Sequence, residues 1–324
     1  MKENLDILLG NPILPRPTYF PSISSVKTSL SPAEYIHIML HLKDLYPYFL
    51  VSAYDIAKAS SRQIDLETSL KVAVSKGVTI LMDSGNYESY WKDADWNQKE
   101  FHSIIRNTSC PFIFCYDNQS PPKDINAHKK GILSCWQEDI KHSNGNILIP
   151  IIHGPTESTP ELCQYIVSET DSLIVAVPER RLGEGIIERA QTVSKIRSTL
   201  NNNSKYIRLH LLGTGNPISM AVYAIMGADS FDGLEWCQTV VDPETAFLFH
   251  FSQAEFFYDK GGYGNENLPY ILKTLAHNLE FYSNWMKQLQ EAIYSDTAIE
   301  FCENRFSPSL FSKISKVLNW RKSS

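Results

Sequence analysis

The stretch Arg208 to Trp236, RLHLLGTGNPISMAVYAIMGADSFDGLEW, constrains the fold more than any other part of the chain. It reads as a strand, a glycine turn, a helix and a second short strand ending on Asp232. Leu209, Leu211 and Leu212 supply an apolar run of strand length, and Gly213 and Gly215 break it. Asn216 then serves as N-cap with Pro217 at the first helical position, where a missing N–H costs nothing. Ala221, Val222, Ala224 and Ile225 give that helix an apolar face, and Gly227 closes it. Asp229-Ser-Phe-Asp232 is too short to be anything but a buried parallel strand. It delivers a carboxylate at its C-terminal end, where parallel α/β folds carry their chemistry.

The rest of the chain alternates in the same way. Strands are expected at Tyr19 within Pro17–Pro21, at Tyr48–Tyr54, Val78–Met82, Pro111–Tyr116, Ile147–Ile152, Ser172–Val177 and Tyr206–Leu212, and before Asp232. Helical periodicity falls between them, near Leu66–Lys76, Gln98–Asn107, Asp124–Lys141, Glu157–Glu169 and Glu184–Leu200. Ser31-Pro-Ala-Glu34 is a capping box that opens a further helix running to about Leu45. Eight strands with helices between them favour a closed (β/α)₈ TIM barrel over an open sheet. The barrel is expected over residues 1–242. A C-terminal helical appendage is expected over 243–324, with long helical stretches at Leu268–Ile293 and Phe306–Trp320 and a basic tail of Arg321 and Lys322. The aromatic cluster Phe247, Phe249, Phe251, Phe256, Phe257 and Tyr258 reads as packing.

Composition excludes little. With 324 residues, 43% of them hydrophobic, the chain can bury a large core. A net charge of −6 argues against a surface-wide basic footprint for nucleic acid and leaves room for a local one. The six cysteines are scattered without a C-x-x-C pair, so reduced thiols and a cytoplasmic location are expected. The lead MKENLDILLGNPILPRP has too short an apolar run for a membrane span or a signal peptide, so no membrane partner is expected.

The residues that follow each strand would share one rim of a barrel: Asp55, Asp83-Ser84-Gly85, Asp117-Asn118, His153-Gly154, Glu179, Gly213 and Asp232. Any one of these acids could simply cap the next helix. Four or more among seven rim positions are harder to assign to capping.

These residues carry a family likeness. Asp83-Ser-Gly-Asn-Tyr87, Tyr116-Asp117, Leu182-Gly-Glu184-Gly, Leu209-His-Leu-Leu-Gly-Thr-Gly215, Gly227-Ala-Asp-Ser-Phe-Asp232 and Ala276-His-Asn-Leu-Glu-Phe-Tyr282 occur in one order and spacing. Together they resemble the tRNA-guanine transglycosylases, (β/α)₈ enzymes that exchange a guanine in nucleic acid for a 7-deazaguanine base. The resemblance implies that Asp232 is a nucleophile and Asp83 an acid or base. It implies that Asp117 reads the amino edge of guanine, and that Ser84, Tyr87, His153, Glu179, Glu184, Leu212 and Gly213 surround the base. Arg180 and Arg181 would touch nucleic acid from the rim, or form a solvated charge cluster.

Departures from the family pattern bear on the substrate. His153 stands where the family has a glutamine, and Pro178-Glu-Arg180 replaces its G-G-L turn. Asp232-Gly-Leu-Glu-Trp-Cys-Gln238 lacks the arginine of D-C-x-x-P-T-R, which serves tRNA recognition. The C-x-C-x-x-C triplet is absent, so His277, at the fourth zinc-ligand position, is expected to be structural and no zinc or other cofactor is expected. The expected reaction is base exchange through a covalent aspartyl-glycosyl intermediate, with a free 7-deazaguanine base and a nucleic acid as partners. DNA or another non-tRNA acceptor is favoured. The alternatives are action on tRNA, or a non-catalytic nucleic-acid- or deazaguanine-binding barrel in a bacterial anti-phage system. A metal-dependent barrel hydrolase would need more histidines than His153 and His210 at strand ends. A second copy of the chain or a partner protein is the expected companion.

Overall fold

A computed structural model describes residues 14–61, 65–120, 122 and 124–320. The lead before Leu14 and the basic tail of Arg321 and Lys322 lie outside these residues. Eight parallel strands form the barrel: β1 (Thr18–Ile23), β2 (Tyr48–Ser52), β3 (Thr79–Asp83), β4 (Phe112–Phe114), β5 (Ile147–Ile149), β6 (Ile174–Pro178), β7 (Arg208–Leu212) and β8 (Ser230–Gly233). Their order is β5-β4-β3-β2-β1-β8-β7-β6. The ring is closed between β5 and β6 by an isolated parallel bridge from Ile151 to Ala176, with Ile152 N donating to Ala176 O at 2.8 Å. Strand β5 stops short of the expected Ile152 because Pro150 has no N–H to give to the ladder.

Helices lie outside this ring: α1 (Pro32–His41), α2 (Ala53–Ser61), α3 (Leu66–Ser75), α4 (Asn86–Trp91), α5 (Gln98–Ile105), α6 (Ile125–Asp139), α7 (Thr159–Thr170), α8 (Ile186–Leu200) and α9 (Pro217–Ile225). Two of the expected caps are in place. Ser31 and Glu34 exchange the capping-box bonds, and Asn216 Oδ1 accepts from Ile218 N and Ser219 N. Helices α2 and α4 were not legible in the sequence. Each begins within a few residues of a strand end, on residues that also read as strand or turn.

The two-residue period of the strands sorts their side chains. Phe20, Leu50, Leu81, Phe112, Phe114, Ile149, Ile174 and Ala176 point inward and pack together in the barrel. Their neighbours Tyr19, Phe49, Ile80, Met82, Ile113, Val175, Leu209 and Phe231 face the helices and join the larger outer core. The same alternation carries Ser22, Ser52, Asp83, Leu212 and Asp232 to the inner side of the C-terminal rim. Phe20 pairs in register with Asp232, and Ser52 with Asp83.

After β8 come a short helix α10 (Glu235–Gln238), the antiparallel hairpin of β9 (Thr239–Val241) and β10 (Leu248–His250), and then α11 (Tyr270–Tyr294), α12 (Ala298–Arg305) and α13 (Pro308–Leu318). The hairpin spans residue 242. Helix α11 ties itself to the segment behind Asp232. Asn278 Nδ2 donates to Trp236 O at 2.8 Å and Thr239 O at 2.7 Å, His277 Nε2 bonds Val241 O at 2.9 Å, and Tyr282 Oη donates to Gly215 O at 2.8 Å. The motif Ala276–Tyr282 therefore holds backbone on both sides of the short strand that ends in the aspartate. Of the aromatic cluster, Phe257 is buried, whereas Phe247, Phe249 and Phe256 are exposed. No helix among the described residues is long and apolar enough to cross a membrane.

Candidate active site

The C-terminal mouth of the barrel holds a cavity of about 380 Å³. Its lining includes Asp83, Tyr87, Asp117, His153, Glu179, Arg180, Leu212, Gly213 and Asp232. Nine residues expected to form the site thus meet in one place, although they come from six different strand ends and the loops after them. Ser84 is buried just behind the lining and donates to Asp117 Oδ1 at 2.8 Å. Arg181 faces Gln119, whose backbone oxygen its Nη2 reaches at 3.4 Å. Glu184 is not in the cavity. It is exposed, and its amide N–H donates to Glu188 Oε2 at 2.8 Å at the start of α8. Asp55, another expected rim acid, lies in the first turn of α2, where Ser25 N donates to it at 2.8 Å.

Asp232 is held by three donors from three elements. Ser22 Oγ reaches Oδ2 at 3.0 Å, while His210 Nε2 and Gly213 N both reach Oδ1 at 3.1 Å. His210 Nδ1 lies 2.8 Å from Ser230 Oγ, so a neutral ring that accepts there presents its Nε2–H to the aspartate. Trp236 Nε1 donates to Ser22 O at 2.8 Å and fixes the strand that supplies the first donor.

Asp117 is equally well held. Its Oδ1 accepts from Ser84 Oγ and from Asn86 Nδ2 at 2.7 Å, and its Oδ2 from His153 Nε2 at 2.6 Å and Gln119 Nε2 at 2.5 Å. Burial pushes its pKa up, but the bonds to His153, Asn86 and Ser84 outweigh burial and leave it below the usual carboxylate range.

Asp83 has the opposite environment. Its carboxylate accepts one bond, from Gly85 N at 3.3 Å. Burial, then the nearby charges of Glu88, Asp117 and Asp232, push its pKa well above the ordinary carboxylate value. The cavity therefore sets an acid with raised proton affinity, Asp83, beside one with lowered proton affinity, Asp117. Carboxyl groups whose surroundings drive them apart in this way are suited to divided acid and base roles.

Several lining residues escaped the sequence reading. Glu88 is buried on α4, receives Ser24 Oγ at 2.6 Å and Ser52 Oγ at 2.8 Å, and is raised by burial and by Asp55 to about 7. Glu235, one helical turn beyond Asp232, is also raised to about 7 by burial, with the charges of Asp232 and Glu179 adding to it. Arg189 pairs with Glu179 Oε1 at 3.0 Å, and Tyr223 Oη donates to the same oxygen at 2.9 Å. Ser22 carried one signal that could have found it, the inward register of β1. Glu88 carried none, because α4 itself was not visible in the sequence.

No group of three or more His, Cys, Asp or Glu side chains among the described residues is arranged to hold a metal ion. His277 spends its Nε2 on Val241 O, and no cysteine lines the cavity. Set against known proteins, the chain matches no protein-family model and no curated protein.

Proposed function

We propose that this barrel is a base-exchange transglycosylase that replaces guanine in a nucleic acid with a 7-deazaguanine base. The observation that carries the reading is the division among three aspartates in one cavity: Asp232 held by three donors, Asp117 held by four, and Asp83 with one weak donor and a raised proton affinity. In the first displacement an Asp232 oxygen bonds the anomeric carbon while the bond from that carbon to guanine breaks, and the departing base takes a proton from Asp83. In the second, Asp83 takes a ring N–H proton from the incoming base, whose nitrogen bonds the anomeric carbon and releases Asp232. Two displacements retain configuration. The donors from Ser22, His210 and Gly213 steady the carboxylate that must leave in the second step.

Asp117 supplies acceptors that match the adjacent N–H groups of a guanine edge and not those of adenine. Tyr87 and Leu212 line the same cavity and offer flat and apolar surface to a ring. The motif likeness to the tRNA-guanine transglycosylases over most of the chain adds independent support. Its departures favour DNA or another non-tRNA acceptor, since the arginine that serves tRNA is missing and Glu179 and Arg180 reach the cavity where the family has bare backbone. A base with a different seven-position substituent follows from the same change.

The test is exchange of labelled guanine into bulk tRNA, single-stranded DNA and duplex DNA at low and moderate salt, because phosphate contacts dominate affinity. Incorporation that Asp232→Ala abolishes without unfolding the protein is the expected result. Absence of incorporation into every acceptor, or the same incorporation in the variant, refutes the reading. Incorporation confined to tRNA refutes only the acceptor preference.

A further inference from the structure

One six-residue helix beside the cavity, α4, carries three aromatic rings that form a continuous series. Tyr87 lines the cavity, its ring centroid lies 6.4 Å from that of Trp91, and Trp91 lies 5.7 Å from Tyr90. Exposure rises along the series, from the half-buried Tyr87 to Trp91 at 50% and Tyr90 at 74%. Rings this exposed contribute little to the core, and half or more of the Trp91 and Tyr90 surface stays in solvent. Lys27 Nζ sits 3.4 Å from the centre of the Trp91 ring. Lys92 follows Trp91 and bonds Ser25 Oγ on the loop that carries Lys27. Lys27 also lines a shallow open groove with Gln238, His250 and Ser252, and Gln238 lines the main cavity as well. Of the nearest acids, Glu88 on the helix is buried and lines the cavity, and Asp93, just past its end, lies along a separate groove with Asn86 and Ser89.

We propose that Tyr90, Trp91 and Lys27 bind the unpaired strand next to the nucleotide held in the cavity, with bases stacking on the two rings and a phosphate reaching Lys27. This inference rests on the nucleic-acid reading of the site and adds the strand's path and its single-stranded state. The chemistry is complementary on both counts. Every base presents a π face whatever the sequence, which suits stacking on exposed aromatic rings, and a cation beside the ring meets the backbone charge. A duplex keeps its bases stacked on one another and has none to offer. The ladder begins in the cavity wall, so a strand leaving the cavity meets Trp91 first.

The probe is a fluorescein-labelled 12-residue DNA strand with one central guanine, compared with the RNA strand of the same sequence and with the DNA duplex, by anisotropy. Trp91→Ala is expected to weaken binding of the single strand by roughly 5- to 150-fold, the range for loss of one stacked base. Trp91→Phe restores most of it, and Lys27→Ala lowers the slope of log affinity against log salt by about 0.7. DNA and RNA strands share the stacking chemistry, and the two arms show which one the site prefers. Unchanged single-strand affinity in Trp91→Ala, no binding by the wild type, or tighter binding of the duplex overturns the proposal. So does a shift of oligomeric state in Trp91→Ala with strand binding intact, which assigns the rings to a protein contact. Trp91-dependent strand binding by a wild-type protein that exchanges no guanine leaves this proposal standing while the transglycosylase reading fails. Guanine exchange by the wild type without Trp91-dependent binding gives the reverse.

Discussion

Gln119 Nε2 donates to Asp117 Oδ2 at 2.5 Å and fills the last of that carboxylate's four acceptor positions, beside Ser84, Asn86 and His153. A guanine edge that is to bond Asp117 must displace one of these donors. Gln119 is the least buried of the four and comes from the loop after β4, and its own Oε1 is held by Arg180. Its side-chain amide occupies an acceptor position that the base's N–H group requires. Gln119→Ala should therefore bind free guanine more tightly than wild type, by about tenfold if one hydrogen bond of roughly 1.4 kcal/mol no longer has to be broken. Isothermal calorimetry with guanine measures this directly, and equal or weaker binding in the variant would mean that Gln119 helps to hold the base.

Glu235 gives the site a pH dependence near neutrality. Its pKa of about 7 is set first by burial and then by Asp232 and Glu179, with the Gly215 amide partly offsetting them. As pH rises through 7 the group becomes anionic beside Asp232, which adds repulsion toward a phosphate-bearing strand. Acceptor affinity in the wild type should fall between pH 6 and 8, and in Glu235→Gln it should stay level across that interval. A parallel fall in both proteins assigns the effect to another group.

The barrel was legible in the sequence because its strands are apolar runs separated by helices of ordinary length and because the carboxylates follow the strands. What could not be read depends on contacts between residues far apart in the sequence. Asn86 bonds Asp117 and Trp236 bonds Ser22, contacts between residues 31 and 214 positions apart. Periodicity carries no information about such pairs. Glu184 was misplaced for a related reason, since a short motif fixes backbone shape and does not fix which way its side chain faces. The inward serine of β1 was readable in principle, because register alone puts Ser22 on the same side as Phe20.

Gly85 explains why the turn after β3 has the sequence Asp-Ser-Gly. It caps α4 with φ at +88°, and a Cβ there would stand 2.6 Å from the backbone N and the Cβ of Tyr54. Gly77 offers a control, with φ at +84° and open space around the same position. Gly85→Ala should lower unfolding free energy by roughly 2–6 kcal/mol, combining left-handed strain with overpacking. Gly77→Ala should show the strain alone, about 1–2 kcal/mol. Urea midpoints for the two variants decide the matter, and equal losses would remove the packing argument at Gly85.

Glu88 makes stability itself depend on pH in a direction that can be worked out. Burial and Asp55 raise its pKa to about 7, above the 4.5 of an unrestrained glutamic acid. A folded value above the unfolded one means that the folded state binds the proton more tightly, so the contribution is fully present below pH 4.5 and is lost as pH rises through 7. Glu88→Gln keeps both serine contacts, with one side-chain oxygen to accept from Ser24 Oγ and an amide N–H to donate to Ser52 Oγ. At pH 5 the variant and the wild type should unfold at similar urea concentrations. By pH 8 the variant should be the more stable, by at most about 3 kcal/mol for a shift of this size. Asp55, itself raised by burial, acts on Glu88 and is acted on by it, so the difference between the two proteins reports the pair. A wild-type advantage at pH 8 would show that Glu88 is ionised at no cost in the fold and that its neighbours, rather than a held proton, satisfy it.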